Sequence, residues 1–449
     1  MITFIVRMHL LSGLLLIALG GCAVRPSGVG DLDRFPQDAS AYLQAGRAES
    51  LLVSPEAQAS LDARYNERFF APWRQQRASL PAAEAFWGVT SYGARQGYAE
   101  NLLPMGKERW QRLVAALQRE SYPSLARPAI TVRNTACRVF PTSRPFFYDP
   151  SRAGEGFPFD YFQNSALWAG TPLLITHVSL DGAWLFAETG FVAGWLPALD
   201  VAWADDAFRT AYQTGSYAAL LRDDVTLLSD TGDFLAQTHL GAIFPIVAPT
   251  DADLQLLVPV RDADGNALVR TARVAPPLAA IKPLPLQPAR ISELANRMLG
   301  QPYGWGGLFE NRDCSATLRD LFTPFGVWLP RNSAEQAKRG GVFHDLAALD
   351  RGEKRDYLLR QGVPFYTLLW LKGHIGLYLG VDPASGEPML LHNLWGVRTT
   401  DANGQEGRAL VARLAITSLH PGEERADVET GRFFQRILGM TVLPGIEAR

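Results

Sequence analysis

The sequence predicts a multidomain protein: a mostly helical N-terminal region, two small β-barrels and a C-terminal α+β domain. Three observations carry this expectation. Apolar residues recur at helical spacing early in the chain. The pattern then switches to period two and is punctuated by two Asp-Gly turns. After a Pro-rich stretch, helical and strand patterns alternate. A length of 449 residues fits about three domains of ordinary size. The composition, 47% apolar and 20% charged, describes a globular chain with ample core material. Net charge is -2 with no dense run of Lys or Arg, which argues against a nucleic-acid partner held on a basic face.

Residues 1–21 read as a targeting segment. MITFIVRMHLLSGLLLIALGGC carries Arg7 ahead of an apolar run from Leu10 to Leu19. That run is too short to span a bilayer comfortably and has the form of a signal peptide. Its end, Leu19-Gly20-Gly21-Cys22, resembles the lipobox of bacterial lipoproteins. The resemblance implies lipidation of Cys22 and a stable membrane anchor. Ala23, standing where Asp would mark retention, implies the periplasmic side of the outer membrane. The alternative is an ordinary secretory signal cut near Gly21. Residues 22–45, rich in Gly, Pro and Asp, read as a tether.

Residues 46–125 read as the helical region. In KERWQRLVAALQRE, Trp110, Leu113, Val114 and Leu117 fall at i, i+3, i+4 and i+7. Residues 126–204 and 205–285 read as two SH3-like barrels. Asp181-Gly182 and Asp264-Gly265 each sit between alternating apolar runs, a strong hairpin signal. Trp184, Phe186, Phe191 and Trp195 supply aromatic packing for the first barrel. KPLPLQPAR opens the last domain, 286–449, as a linker. There Ile291, Leu294, Met298 and Leu299 mark a helix face that stops at Gly300-Gln301-Pro302. A second helix starts near Cys314, and HIGLYLGV and PMLLHNLW follow as strands.

The chemistry centres on NRDCSATLRDLF. Cys314 lies at the start of a helix, where free N–H groups and the helix dipole favour a thiolate. A small buried core cysteine is the alternative, although Asp313 and Ser315 on either side suit a cleft better. His374 opens one strand and His392 lies in the next, so antiparallel pairing brings the two imidazoles onto one face. A base beside a thiol, oriented by a second polar group, is the logic of a catalytic triad. A zinc site of Cys314, His374 and His392 is the competing reading, but no closely spaced ligand pair supports it. Cys137 reads as a buried strand residue and Asp313 as a helix cap.

At these residues the chain resembles the NlpC/P60 cysteine peptidases of bacterial cell walls. The matching motifs are PYGWGG (302–307), DCS (313–315), FGVWLPR (325–331), NSAEQ (332–336), GHIGLYLG (373–380) and LLHN (390–393), in the family's order. The resemblance implies a papain-like α+β catalytic domain with Cys314 as nucleophile, His374 as general base and His392 as its orienting partner, and no cofactor or metal. It also implies that Asp313 and Ser315 bind the free amine of an N-terminal L-alanine, with Tyr303 near the developing oxyanion. The implied reaction is hydrolysis of the γ-D-glutamyl–diamino acid bond of peptidoglycan stem peptides. A non-catalytic cell-wall-binding lipoprotein, or an amidase or acyltransferase using the same cysteine, is the alternative. Two departures stand out. Ala316 replaces the Gly that commonly follows DCS, and a charged stretch at 344–360 is expected to shape one wall of the cleft. Two loops, 157–165 and 188–195, are candidates for closing the amine pocket. The sequence assigns no oligomeric state and does not separate diaminopimelate from lysine.

Overall fold

The structure is a computed structural model that describes residues 28–249 and 253–446. The expected signal segment and Cys22 lie outside the described residues. Among the described residues no helix is long and apolar enough to cross a membrane.

The tether expectation for 22–45 needs correction from residue 28 onward. Val29 and Ala39 are fully buried, and Tyr42 packs into the same core as Ile291, Leu294 and Met298. Asp31 anchors the segment by accepting hydrogen bonds from the Ser418 N–H and hydroxyl, both at 2.7 Å. Gly, Pro and Asp suit an open chain, but the apolar residues between them meet a complementary surface on the C-terminal domain.

The helix Pro55–Phe69 starts as its sequence dictates, with Ser54 accepting from the Ala57 N–H and Pro55 in the first turn. It buries Leu61, Tyr65 and Phe69. The shorter helices Ala82–Ala85, Trp87–Gly93 and Lys107–Ala116 follow. They enclose no core of their own. Ala85, Phe86, Tyr92 and Leu117 instead pack on Phe140, Phe146, Phe162, Phe186 and Trp195 of the first barrel.

That barrel is a seven-stranded antiparallel sheet. Its order is Gln163–Leu167, Thr135–Arg138, Ala193–Pro197, Trp184–Glu188, Pro172–Val178, Arg127–Thr131 and Val201–Trp203. The Asp181-Gly182 turn joins two paired strands, with Gly182 at φ +72°. A helix that the alternating pattern hides, Asp206–Tyr212, separates the barrels and packs Phe208 and Tyr212 against Trp73. The second barrel combines a five-stranded sheet with the hairpin Val225–Leu228 and Phe234–Thr238.

The C-terminal domain is a six-stranded antiparallel sheet, ordered Val342–Asp345, Ile437–Val442, Thr367–Leu371, His374–Val381, Pro388–Thr400 and Glu406–Ser418. On one face, Ile375, Leu377 and Leu379 pack against Leu318 and Leu321 of the helix Cys314–Phe322. On the other, Leu369, Leu371, Tyr378 and Leu390 pack against Leu358 of the helix Arg351–Gln361. That second helix comes from the charged stretch 344–360, which therefore covers the far face of the sheet instead of walling the cleft. Its start is a capping box made by Asp350 and Glu353.

Candidate active site

Asp313 is the cap of the cysteine helix and accepts from the Ala316 N–H at 2.8 Å. The residue before it ties the helix to both barrels. Arg312 reaches Asp223 at 2.9 Å and the Leu240 carbonyl at 2.8 Å in the second barrel. It also bonds Asp320 at 2.7 Å, and Asp320 in turn accepts from Trp168 Nε1 of the first barrel. Charged groups this deeply buried are tolerated because each one is paired.

Cys314 is a free thiol, 7% exposed, at the first position of its helix. The backbone N–H groups of Ile375 and Ser315 favour its thiolate form. The strands carrying His374 and His392 pair only from Leu377 and Leu391 onward. The Ile375 N–H donor belongs to the peptide unit that joins His374 to Ile375, so the thiol abuts the start of the histidine strand. The pKa expectation reverses here. Burial, followed by the Asp313 charge, pushes the thiol up to about 12 despite the helix end. Cys137, in the strand Thr135–Arg138, is also a free and buried thiol.

His374 Nε2 lies 2.8 Å from His392 Nδ1. His392 Nε2 lies 3.0 Å from the Thr417 hydroxyl oxygen, and that hydroxyl donates to the Ser418 carbonyl at 2.7 Å. The last contact fixes the chain of donors. A carbonyl only accepts, so the Thr417 proton is spent on Ser418. Thr417 must then accept from His392 Nε2–H. That leaves His392 Nδ1 bare, and His374 Nε2–H donates to it. The remaining ring nitrogen, His374 Nδ1, carries a lone pair. Burial lowers the His374 pKa to about 4 and holds His392 well below its usual range, so both rings are neutral. Their nitrogens are engaged with each other and with Thr417, an arrangement that suits proton handling better than metal ligation. Among the described residues no group of three His, Cys, Asp or Glu side chains is placed to hold a metal.

Asp313, Cys314, Ser315 and Tyr303 line a cavity of about 550 Å³. Asp313 is heavily engaged within it. Arg331 donates to both of its oxygens, at 2.7 and 3.2 Å, and Ser315 Oγ and the Gly306 N–H also donate. Burial alone would raise this carboxyl, but Arg331, the Ala316 N–H and the Ser315 hydroxyl together outweigh burial and hold it low. Tyr303 keeps its phenolic proton because burial, then the charges of Cys314 and Asp313, raise it well above its usual range. Both candidate barrel loops border the cavity, through Tyr161, Gln163 and Asn164 and through Phe191, Val192 and Ala193. Leu80, Glu84 and Trp87 of the helical region complete the wall.

Sequence reasoning missed Thr417 and Arg331 as the partner of Asp313. Arg331 alone carried a local signal, as the last residue of FGVWLPR. Thr417 is set by strand register, opposite Leu390.

Four family models match the chain in sequence. They are the NLPC_P60 stabilising domain over residues 8–122, an SH3 domain of SH3b1 type over 145–197, an SH3 domain of SH3b2 type over 205–250 and the NlpC/P60 family over 300–409. Among solved structures, the chain is similar to an NlpC/P60 endopeptidase from Photobacterium damselae subsp. piscicida. That match has 26% identity and a TM-score of 0.81, and covers 91% of this chain and 97% of the other. An NlpC/P60 family protein from Bacillus cereus ATCC 10987 matches with 16% identity and a TM-score of 0.46, covering 71% of this chain and 100% of the other. No curated protein matches the sequence. The chain is a four-domain NlpC/P60 protein: a stabilising domain, two bacterial SH3 domains and the NlpC/P60 domain that carries Cys314.

Proposed function

We propose that the chain is a cysteine endopeptidase that hydrolyses the γ-D-glutamyl–diamino acid bond of peptidoglycan stem peptides. We further propose that it is exported and held by a lipid at Cys22 on the periplasmic side of the outer membrane. The observation that carries the enzymatic reading is the donor chain Ser418–Thr417–His392–His374, which leaves a bare nitrogen on His374, at the start of the strand whose Ile375 N–H acts on the buried Cys314 thiol.

In this reading the resting pair is neutral, and substrate triggers its ionisation. His374 Nδ1 takes the Cys314 proton as the sulfur attacks the γ-carbonyl. The imidazolium passes its proton to the leaving amine, and an acyl-thioester remains on Cys314. A water molecule, deprotonated by the same nitrogen, hydrolyses the thioester and releases L-Ala-γ-D-Glu. Tyr303 retains its proton and suits an oxyanion donor, with a backbone N–H at the helix start as its partner. A free N-terminal amine is favoured by two carboxylates lining the cavity, Asp313 and Glu84. Because Arg331 already balances Asp313, selection for the amine is testable separately from cleavage.

The test is incubation with L-Ala-γ-D-Glu-meso-diaminopimelate, its N-acetyl form and the Cys314→Ala variant, with dipeptide release followed by mass spectrometry. Wild type is expected to release L-Ala-γ-D-Glu from the free peptide alone, and Cys314→Ala to release none. Absence of product from wild type, or equal product from the variant, overturns the activity. Equal cleavage of the acetylated peptide overturns only the amine preference.

A further inference from the structure

A second, smaller cavity of about 60 Å³ is bordered by His374 but not by Asp313, Cys314 or Ser315, and its wall carries Arg398, Arg432 and Arg436. Positive charge is in surplus there. Glu406 serves two arginines at once, Arg398 at 2.6 Å and Arg408 at 2.7 Å. Arg432 pairs with Glu429. Glu423, also in the wall, is turned to the Gly431 N–H at 2.6 Å and to His420 at 3.0 Å. Arg436 has no carboxylate within ion-pairing distance among the described residues. Among the described residues its one side-chain hydrogen bond runs to the Lys372 carbonyl at 3.4 Å. Arg436 is exposed at the rim of the cavity, and partial burial, then the charges of Arg432, Arg408 and Arg398, lower its pKa, as expected for a guanidinium that lacks a counter-ion.

The position matters as much as the charge. Arg436 is held at Lys372, and the next residue, Gly373, lines the Cys314 cavity. His374 borders the arginine cavity directly. In the proposed reaction His374 protonates the leaving amine, so the leaving group must depart on the histidine side of the thiol. The acyl half then occupies the side of Asp313 and Ser315. A volume of about 60 Å³ holds a carboxylate but not a whole amino acid. A guanidinium is the natural partner for that planar anion.

We propose that Arg436, supported by Arg398 and Arg432, forms a subsite for a carboxylate of the leaving diamino acid. This rests on the endopeptidase reading above and makes the enzyme selective for an anionic leaving group. The carboxylate has two possible sources, the α-carboxylate of the third residue or the second carboxylate that distinguishes diaminopimelate from lysine.

The experiment compares kcat/KM for three peptides: L-Ala-γ-D-Glu-meso-diaminopimelate, its α-carboxamide, and L-Ala-γ-D-Glu-L-Lys. Each is assayed with wild type, Arg436→Gln and Arg436→Lys. Wild type is expected to lose about tenfold or more in kcat/KM on the peptide that lacks the bound carboxylate. A loss on the carboxamide identifies the α-carboxylate, and a loss on the lysine peptide identifies the distal one. Arg436→Gln is expected to remove that discrimination, and Arg436→Lys to keep part of it. If Arg436→Gln does not fold, Arg398→Gln takes its place with the same expectation. Equal kcat/KM on all three peptides, or discrimination that survives Arg436→Gln, overturns the subsite. Failure of wild type to cleave any peptide overturns the endopeptidase reading instead, so the two failures are distinguishable.

Discussion

Cys314 and His374 have their pKa values pushed apart, the thiol up to about 12 and the imidazole down to about 4. Burial is the first cause in both, because it disfavours whichever form is charged. The free enzyme therefore holds a thiol and a neutral imidazole, not a thiolate–imidazolium pair. Alkylation of the free enzyme by iodoacetamide is expected to be slow at neutral pH. It should rise about tenfold per pH unit through the alkaline range, following the thiolate fraction. A rate that levels off below pH 8 would show an ion pair already formed. Stability follows the same shift. An unfolded chain binds a proton on His374 near the ordinary value of 6.5, whereas the folded ring binds one only near 4. Between those values the unfolded state holds more protons, so stability falls as pH drops through that window. Thr417 sets the direction of the relay, and Thr417→Val keeps its shape while removing the acceptor for His392 Nε2–H. Loss of that acceptor frees His392 to turn its proton toward His374. A kcat reduced on the order of ten- to a hundredfold, with KM nearly unchanged, is expected, and Thr417→Ser should restore it. A KM change with intact kcat would assign Thr417 to packing alone.

At the level of elements, the sequence was most informative where chemistry is local. The Asp313 cap, the Asp-Gly turns and the alternation that puts His374 and His392 on one face all depend on neighbours in the chain or on one strand pairing. Thr417 depends on a further register, and Arg436 on where the chain returns well beyond the last matching motif, so neither shows in a motif. The sign of the Cys314 shift depends on how deeply three domains bury it, which no window around NRDCSATLRDLF contains. The segment after Gly28 was misread because composition reports the chain, not the surface that covers it. The charged stretch 344–360 did hold a readable start in Asp350 and Glu353, but which face it covers is tertiary information. The PYGWGG motif gains a physical reason from the structure. Gly306 and Gly307 have φ of +60° and +87°, and the turn presses on the first barrel. A Cβ on Gly307 would lie 2.4 Å from the Ala166 nitrogen and 2.6 Å from its Cβ. Gly307→Ala therefore combines a left-handed backbone penalty of about 1–2 kcal/mol with overpacking of about 1–3 kcal/mol. Thermal unfolding should show a clearly lowered Tm, and Tyr303 and Cys314 should lose activity together. An unchanged Tm would mean that the barrel and the peptidase domain are not mechanically joined at this turn.

Across the whole molecule, three of the four domains contribute walls to one cavity. The Cys314 cavity takes Leu80 and Trp87 from the helical region, Tyr161 and Phe191 from the first barrel, and Tyr303 and Arg331 from the peptidase domain. The second barrel contributes through Asp223, which holds Arg312 and with it the start of the cysteine helix. The accessory domains thus act as walls and braces for the site as well as modules on a string. A cavity of about 550 Å³ falls within the range of roughly 300–1,000 Å³ typical of sites that enclose small molecules. An extended glycan strand attached to the N-terminal alanine would have to pass through the wall built by the helical region and the barrel loops. Free stem tripeptide is therefore expected to be cleaved much faster than the same stem in intact sacculi, measured as dipeptide released per mole of stem. Removing the glycan from the sacculus with an amidase should restore cleavage without any change to the enzyme. If sacculi are cut as fast as free peptide, the helical wall must move aside during the reaction. In that case the N-terminal region would serve as a door, and its contacts through Phe86 and Tyr92 with the first barrel would be the hinge to disrupt next.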